Sequence, residues 1–88
     1  MKHTVDWLPA AEHDLTEIWN DAPDQAHVTA AADAIDADLA RDPLGVGESR
    51  EGTSRIYIVP PLAVEYDVIA DDAKVTVWNV WRWGLSMP

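Results

Sequence analysis

The order of periodic segments predicts an α+β domain: an N-terminal strand, an antiparallel helix hairpin, then a three-stranded antiparallel meander (β-α-α-β-β-β), with the helices packed on one face of the sheet. Three observations predict it. Apolar residues alternate at 3–7, recur at helical spacing between 11 and 39, and alternate again from 54 to 82. Breaks at Leu8-Pro9, Ala22-Pro23-Asp24, Asp42-Pro43 and Pro60-Pro61 separate these stretches. The 88 residues amount to one domain, with no repeat, low-complexity tract or linker.

The first strand is His3–Trp7, with His3, Val5 and Trp7 on one side and Thr4 and Asp6 on the other. Pro9 suits the first turn of a helix, where its missing N–H costs nothing. Ala11, Leu15, Ile18, Trp19 and Ala22 form that helix's apolar stripe, and Glu12, Asp14 and Glu17 its polar side. A second helix runs from about Asp24 to Arg41 on the stripe Val28, Ala31, Ala32, Ile35 and Leu39, and Asp42-Pro43 stops it. The short connection between the helices makes them antiparallel. Asp42–Thr53, with three of the four glycines, is a loop. Ser54–Val59, Leu62–Ile69 and Lys74–Arg82 are the three strands of the meander.

Alternation assigns faces. In Leu62–Ile69, Leu62, Val64, Tyr66 and Val68 point to the helices, and Ala63, Glu65 and Asp67 away from them. The same logic turns Ile56 and Ile58 inward and Arg55, Tyr57 and Val59 outward. In the last strand it turns Val75 and Val77 inward and Thr76, Trp78, Val80 and Arg82 outward. The helix-free face would then present Arg55, Tyr57, Glu65, Asp67, Trp78 and Arg82. Such a face can stack bases and hold phosphates, or simply pair its own residues across strands.

Composition limits function. Six Lys and Arg stand against sixteen Asp and Glu, a formal charge of −10. Nucleic-acid binding depends on cations that neutralise phosphates, so this balance opposes it. Acidity also keeps a small apolar domain soluble and suits a protein working in high salt. Hydrophobic residues make up 48% of the chain and five are Trp, too apolar for a disordered chain. No cysteine is present, so disulfides and Cys-based zinc sites are excluded. No apolar run approaches the roughly 18 residues of a membrane span, and the first residues lack a signal peptide's apolar core. A cytoplasmic location is the expectation.

No other catalytic or cofactor pattern is present, and no cofactor is expected. His3, His13 and His27 lie on different elements, so they do not converge on a metal. Gly45-Val46-Gly47 is too short for a phosphate loop and no helix follows it. Ser49 has no His in its segment and no nucleophile elbow around it.

Several stretches together resemble the RelE/ParE toxin superfamily. Val5-x-Trp7-x-Pro9-x-Ala11-x-x-x-Leu15-x-x-Ile18-Trp19 is similar to its opening, and Ala34-Ile35-Asp36-x-x-Leu39 to the close of its second helix. Asp42-Pro43 with Gly47-Glu48-Ser49-Arg50 resembles a loop of one subgroup. Pro61-Leu62-x-Val64-x-Tyr66-x-Val68 and Val75-x-Val77-x-x-Val80-Trp81-Arg82 resemble the last two strands. The match covers nearly the whole chain.

The resemblance implies the toxin of a toxin–antitoxin pair, neutralised by a cognate antitoxin protein that wraps across it. RelE-like members cut mRNA on the ribosome without a metal, and ParE-like members poison DNA gyrase. Arg50 and Arg55, at the start of the strands, and Arg82, at the end of the last, are the candidate catalytic residues it implies. Tyr57, Trp78, Trp81 and Trp83 are candidate anchors for a protein partner. Where active members often carry an Arg, the chain has Leu62-Ala63-Val64-Glu65-Tyr66, and Trp81-Arg82-Trp83-Gly84 replaces a terminal His or Tyr. An always-protonated Arg stabilises charge but does not shuttle protons. The expectation is therefore a toxin that binds a protein target such as gyrase. The alternatives are a ribosome-dependent endoribonuclease and a non-toxic interaction module on the same fold.

Overall fold

A computed structural model describes residues 2–84. Its elements are β1 (Thr4–Trp7), α1 (Pro9–Asp21), α2 (Gln25–Arg41), β2 (Glu48–Ser49), β3 (Ser54–Val59), β4 (Leu62–Ile69) and β5 (Lys74–Arg82), with a 3₁₀ turn at Ala70–Asp72. One sheet joins the strands in the order β1-β5-β4-β3-β2. β1 runs parallel to β5, with Val5 opposite Val75, and every other pairing is antiparallel. The strand, the helix hairpin and the meander arrive as expected. Two-residue β2, inside the Asp42–Thr53 loop, is too short to leave a period.

Local chemistry sets the helix ends. Leu8 is extended and Pro9 takes the first helical position of α1. α2 ends with Arg41 in its last turn, favourable to the helix dipole, and Asp42 leaves the helical conformation. The core lies between the helices and one sheet face. Ala11, Val28, Ala31, Ile35 and Leu39 meet Leu62, Val64, Tyr66, Val68, Val75, Val77 and Val80. Tyr66 is among the largest of the fully buried side chains. Trp19 departs from the expected stripe. It stands one helical step beyond Ile18, outside the core, and is 40% exposed.

Register overturns two assignments of faces. In β3, Val59 stands opposite Leu62, Tyr57 opposite Val64 and Arg55 opposite Tyr66. Cross-strand partners share a face, so Arg55, Tyr57 and Val59 point to the helices, and Ile56 and Ile58 to the open face. This is the reverse of the expected phase. Hydrophobicity of the two isoleucines suggested burial, but the tight Pro60-Pro61 turn fixes the pairing.

In β5, Val75 pairs with Val68 and Val77 with Tyr66, as expected, but then the register shifts between Glu65 and Tyr66. β5 carries one extra residue there, Trp78, so the phase changes beyond it. Val80 lies opposite Val64 and Arg82 opposite Leu62. Val80 and Arg82 therefore face the helices and not the open side. Trp81 stands opposite Ala63, on the open face.

Candidate functional site

Two of the three arginines singled out from the sequence are built into the helix side of the molecule. Arg55 Nη2 lies 3.2, 3.1 and 3.3 Å from the carbonyl oxygens of Leu44, Val46 and Gly47, to which it donates. Its Nε donates to the Tyr66 hydroxyl at 3.3 Å. That hydroxyl has the Pro43 and Val46 carbonyls in reach at 2.8 and 3.0 Å. The buried Tyr66 end and the Arg55 fork thus tie the loop after α2 to the sheet. Burial pushes the Tyr66 phenol up from its ordinary range, partly offset by Arg55. Gly47 completes the arrangement. Its φ is +71°, and a Cβ there would fall 2.5 Å from the Ile56 carbonyl oxygen and 2.8 Å from the Tyr66 hydroxyl.

Arg82 closes the other end. Its Nη2 lies 2.8 Å from both carboxylate oxygens of Asp24, at the turn between α1 and α2. The hydrogen bond from Arg82 holds the Asp24 carboxyl below the usual carboxylate value. Tyr57, expected to face outward, reaches the helices. It donates a 2.6 Å hydrogen bond to Asp38 of α2, and its pKa is pushed up to about 12, first by that bond to a carboxylate and then by burial. Asp38 also accepts from Arg41 at 2.8 Å.

The open face keeps Arg50. A concavity of about 650 Å³ there is lined by Ser49, Arg50, Glu51, Ser54, Ile56, Glu65 and Trp78. Trp78 is 38% exposed, and Glu65 accepts a 2.9 Å hydrogen bond from the Asn79 amide. One arginine, two carboxylates and an aromatic plate can stack a ring and orient polar groups. Their formal charges sum to −1, which opposes phosphate binding. Trp81 is half-buried beside this patch and Trp83, just past β5, is 44% exposed. The structure therefore brings Arg50, Trp78 and Trp81 to one face, and sends Arg55, Tyr57 and Arg82 to the other. Among the described residues no group of three or more His, Asp or Glu could hold a metal ion.

Ser54 and Ile56 belong to this concavity, and sequence reasoning missed them. The signal was available in the two-residue turn at Pro60-Pro61. Residues flanking such a turn pair directly, so Val59 must share a face with Leu62. No comparable signal announced the bulge at Trp78, because both sides of β5 are apolar there.

No family model matches the chain, and no curated protein matches its sequence. Solved structures do match its shape. The toxin–antitoxin complex RelBE2 from Mycobacterium tuberculosis superposes with a TM-score of 0.76 at 22% identity, over 93% of this chain and 99% of that one. The chromosomal ParDE TA system from P. aeruginosa gives 0.71 at 14% identity, over 94% and 98%. The isolated E. coli RelE toxin gives 0.64 at 14%, over 96% and 87%. The superpositions cover 93% to 96% of this chain, and the chain has the fold of the RelE/ParE toxin superfamily.

Proposed function

We propose that this chain is the toxin of a toxin–antitoxin pair, held by a cognate antitoxin protein, and that it acts by binding a protein target such as DNA gyrase. The fold shared with RelBE2, ParDE and RelE over nearly the whole chain supports the toxin reading. One observation carries the choice of binding over cleavage: Arg55 and Arg82 are turned to the helix side, where Arg55 donates to loop carbonyls and Arg82 Nη2 to Asp24. Of the implied catalytic arginines only Arg50 remains on the open face, next to Glu51 and Glu65. A phosphodiester in that concavity would meet two carboxylates and a single arginine where the reaction needs net positive charge.

A second reading rests on Arg50, Ser54, Glu65 and Trp78 lining one concavity. A ring stacked on Trp78 with its phosphate at Arg50 would suit ribosome-dependent RNA cleavage. Inducing the chain alone separates the two. The binding reading expects growth arrest with intact mRNA, and inhibition of gyrase supercoiling by the purified chain. Cleaved mRNA in arrested cells, lost on Arg50→Ala, favours the second. Unimpeded growth at full expression refutes both.

A further inference from the structure

A second concave surface lies on the helix side. α1 and α2 meet over the core, but along their outer seam they part into a groove. One lobe, of about 370 Å³, is bounded by Trp7 and floored by Leu15 and Ala32. The next, of about 260 Å³, shares that floor and ends at Trp19 and Val28. Alanines at 32 and 37 leave the seam unfilled. The tryptophan rings are fixed at each end. Trp7 Nε1 donates to Asp36 Oδ1 at 3.1 Å, and Trp19 Nε1 to Thr29 Oγ1 at 3.0 Å. With their polar N–H groups turned to α2, the rings offer the groove apolar surface.

The rim has one sign. Glu12, Asp33 and Asp36 line the groove and no Lys or Arg does. The wider helical layer agrees. Between Pro9 and Arg41 the chain has eight Asp and Glu but one Arg, a net −7 of the total −10. The open sheet face, by contrast, mixes Arg50 with its acids.

We propose that this groove docks a basic amphipathic helix of a protein partner. The inference rests on the reading that a partner protein holds the chain, and it names where and by what chemistry. From Val28 to Ala37 the groove follows α2 for about 14 Å at 1.5 Å per residue, which matches two to three turns of a helix. Apolar side chains at i, i+4 and i+7 of that helix fill the two lobes, and its flanking Lys or Arg meet Glu12, Asp33 and Asp36. An acidic helix in the two lobes would face repulsion from Glu12, Asp33 and Asp36, as would a phosphate backbone, and Lys2 and Arg41 line only the neighbouring hollow beyond Ala37.

Two synthetic helical peptides test this against the full-length chain. Both carry Leu at i, i+4 and i+7; one is flanked by Lys, the other by Glu. Titration into ¹⁵N-labelled protein should shift the amides of Leu15, Trp19 and Ala32 with the Lys peptide and leave them unmoved with the Glu peptide. The double variant Glu12→Lys/Asp33→Lys changes two exposed side chains and should weaken the Lys peptide at least tenfold. Ala32→Trp should fill the seam and block it. The proposal is overturned by shifts centred on Trp78, by no binding of the Lys peptide, or by a loss under tenfold in the double variant. Peptide binding requires no toxicity, so a chain that docks the Lys peptide yet never arrests growth counts against the toxin reading alone.

Discussion

Replacing Arg55 by Met separates a structural arginine from a catalytic one. Methionine keeps most of the stem and removes the guanidinium. Nη2 has two protons for three carbonyls at 3.1 to 3.3 Å, so at most two strong hydrogen bonds are lost there. The fourth contact, from Nε to Tyr66, is long at 3.3 Å, and the Tyr66 hydroxyl keeps the Pro43 and Val46 carbonyls. Hydrogen bonds to a charged group contribute about 1.5–3 kcal/mol each when well formed. The Leu44 carbonyl is at the surface, where water can replace the lost donor. The expected loss is therefore about 2 kcal/mol rather than the sum of all contacts. In a domain of this size that lowers Tm by roughly 10 °C. Urea unfolding followed by tryptophan fluorescence measures it, and hydrogen exchange at Val46 and Gly47 reports the loop directly. A stability change below about 0.5 kcal/mol, well short of a charged hydrogen bond, with exchange unaltered, would refute the assignment. So would a variant of full stability that has lost all toxicity, since Arg55 would then act on the target.

Three further outcomes follow from the same geometry. Gly47→Ala should cost more than about 2 kcal/mol, combining left-handed backbone strain with a clash onto the Ile56 carbonyl; a Tm within 2 °C of the parent at that position, by about 4–8 °C per kcal/mol, would contradict it. Tyr57→Phe should cost about 1–2 kcal/mol at neutral pH by removing the donor to Asp38. Because the folded pKa of Tyr57 is raised to about 12, above an unfolded value near 10, its contribution is complete below about pH 10 and vanishes as pH rises through about 12. Alkaline unfolding should therefore be steeper in the parent than in Tyr57→Phe, and parallel curves would count against the bond. Asp24 has the opposite sign. Its folded pKa is lowered by Arg82, so its contribution is present above the unfolded value near 4 and is lost as pH falls through the folded value. Asp24→Asn should lower stability at pH 7 and flatten the acid limb of the unfolding curve, and identical acid limbs would refute it.

The hairpin and the meander were legible because they rest on sustained periods and proline breaks, and the first strand because Pro9 follows its short alternation so closely. The apolar stripe of α2 shows the strength of that signal: Val28, Ala31, Ile35 and Leu39 are all buried. Faces were legible only where alternation was clean, as in β4. β3 misled because Tyr57 and Arg55 are amphipathic. Their stems pack inward while their polar ends find Asp38 and the loop carbonyls. Residue type suggested a surface, and pairing decided otherwise. Arg82 misled for a different reason, since one extra residue at Trp78 inverts everything after it. The helix–helix groove had no sequence signal of its own. Alanine favours helix and close approach alike, and only the spacing of α1 from α2 decides whether Ala32 is core or floor.

The distribution of cations gives the functional argument its direction. Of six Lys and Arg, Arg41, Lys74 and Arg82 pair with Asp38, Asp6 and Asp24. Arg55 is surrounded by carbonyl oxygens. Four of six positive charges are thus turned to the protein's own acceptors, and carboxylates remain in excess on both sides of the sheet. A phosphate chain approaching either face must work against that field, because its affinity depends on cations free to replace counterions. A basic protein segment gains from the same field without any rearrangement of the domain. Exposed Trp19 on the helix side and Trp78 on the open side add apolar area of the kind that anchors protein interfaces. On the proposed toxin reading, two such faces, separated by the core, would let an antitoxin hold the helical groove while the target engages the open sheet. Neutralisation would then require the antitoxin either to reach around the edge of the sheet or to block the target by bulk, and the two differ in the length of partner chain beyond the basic helix.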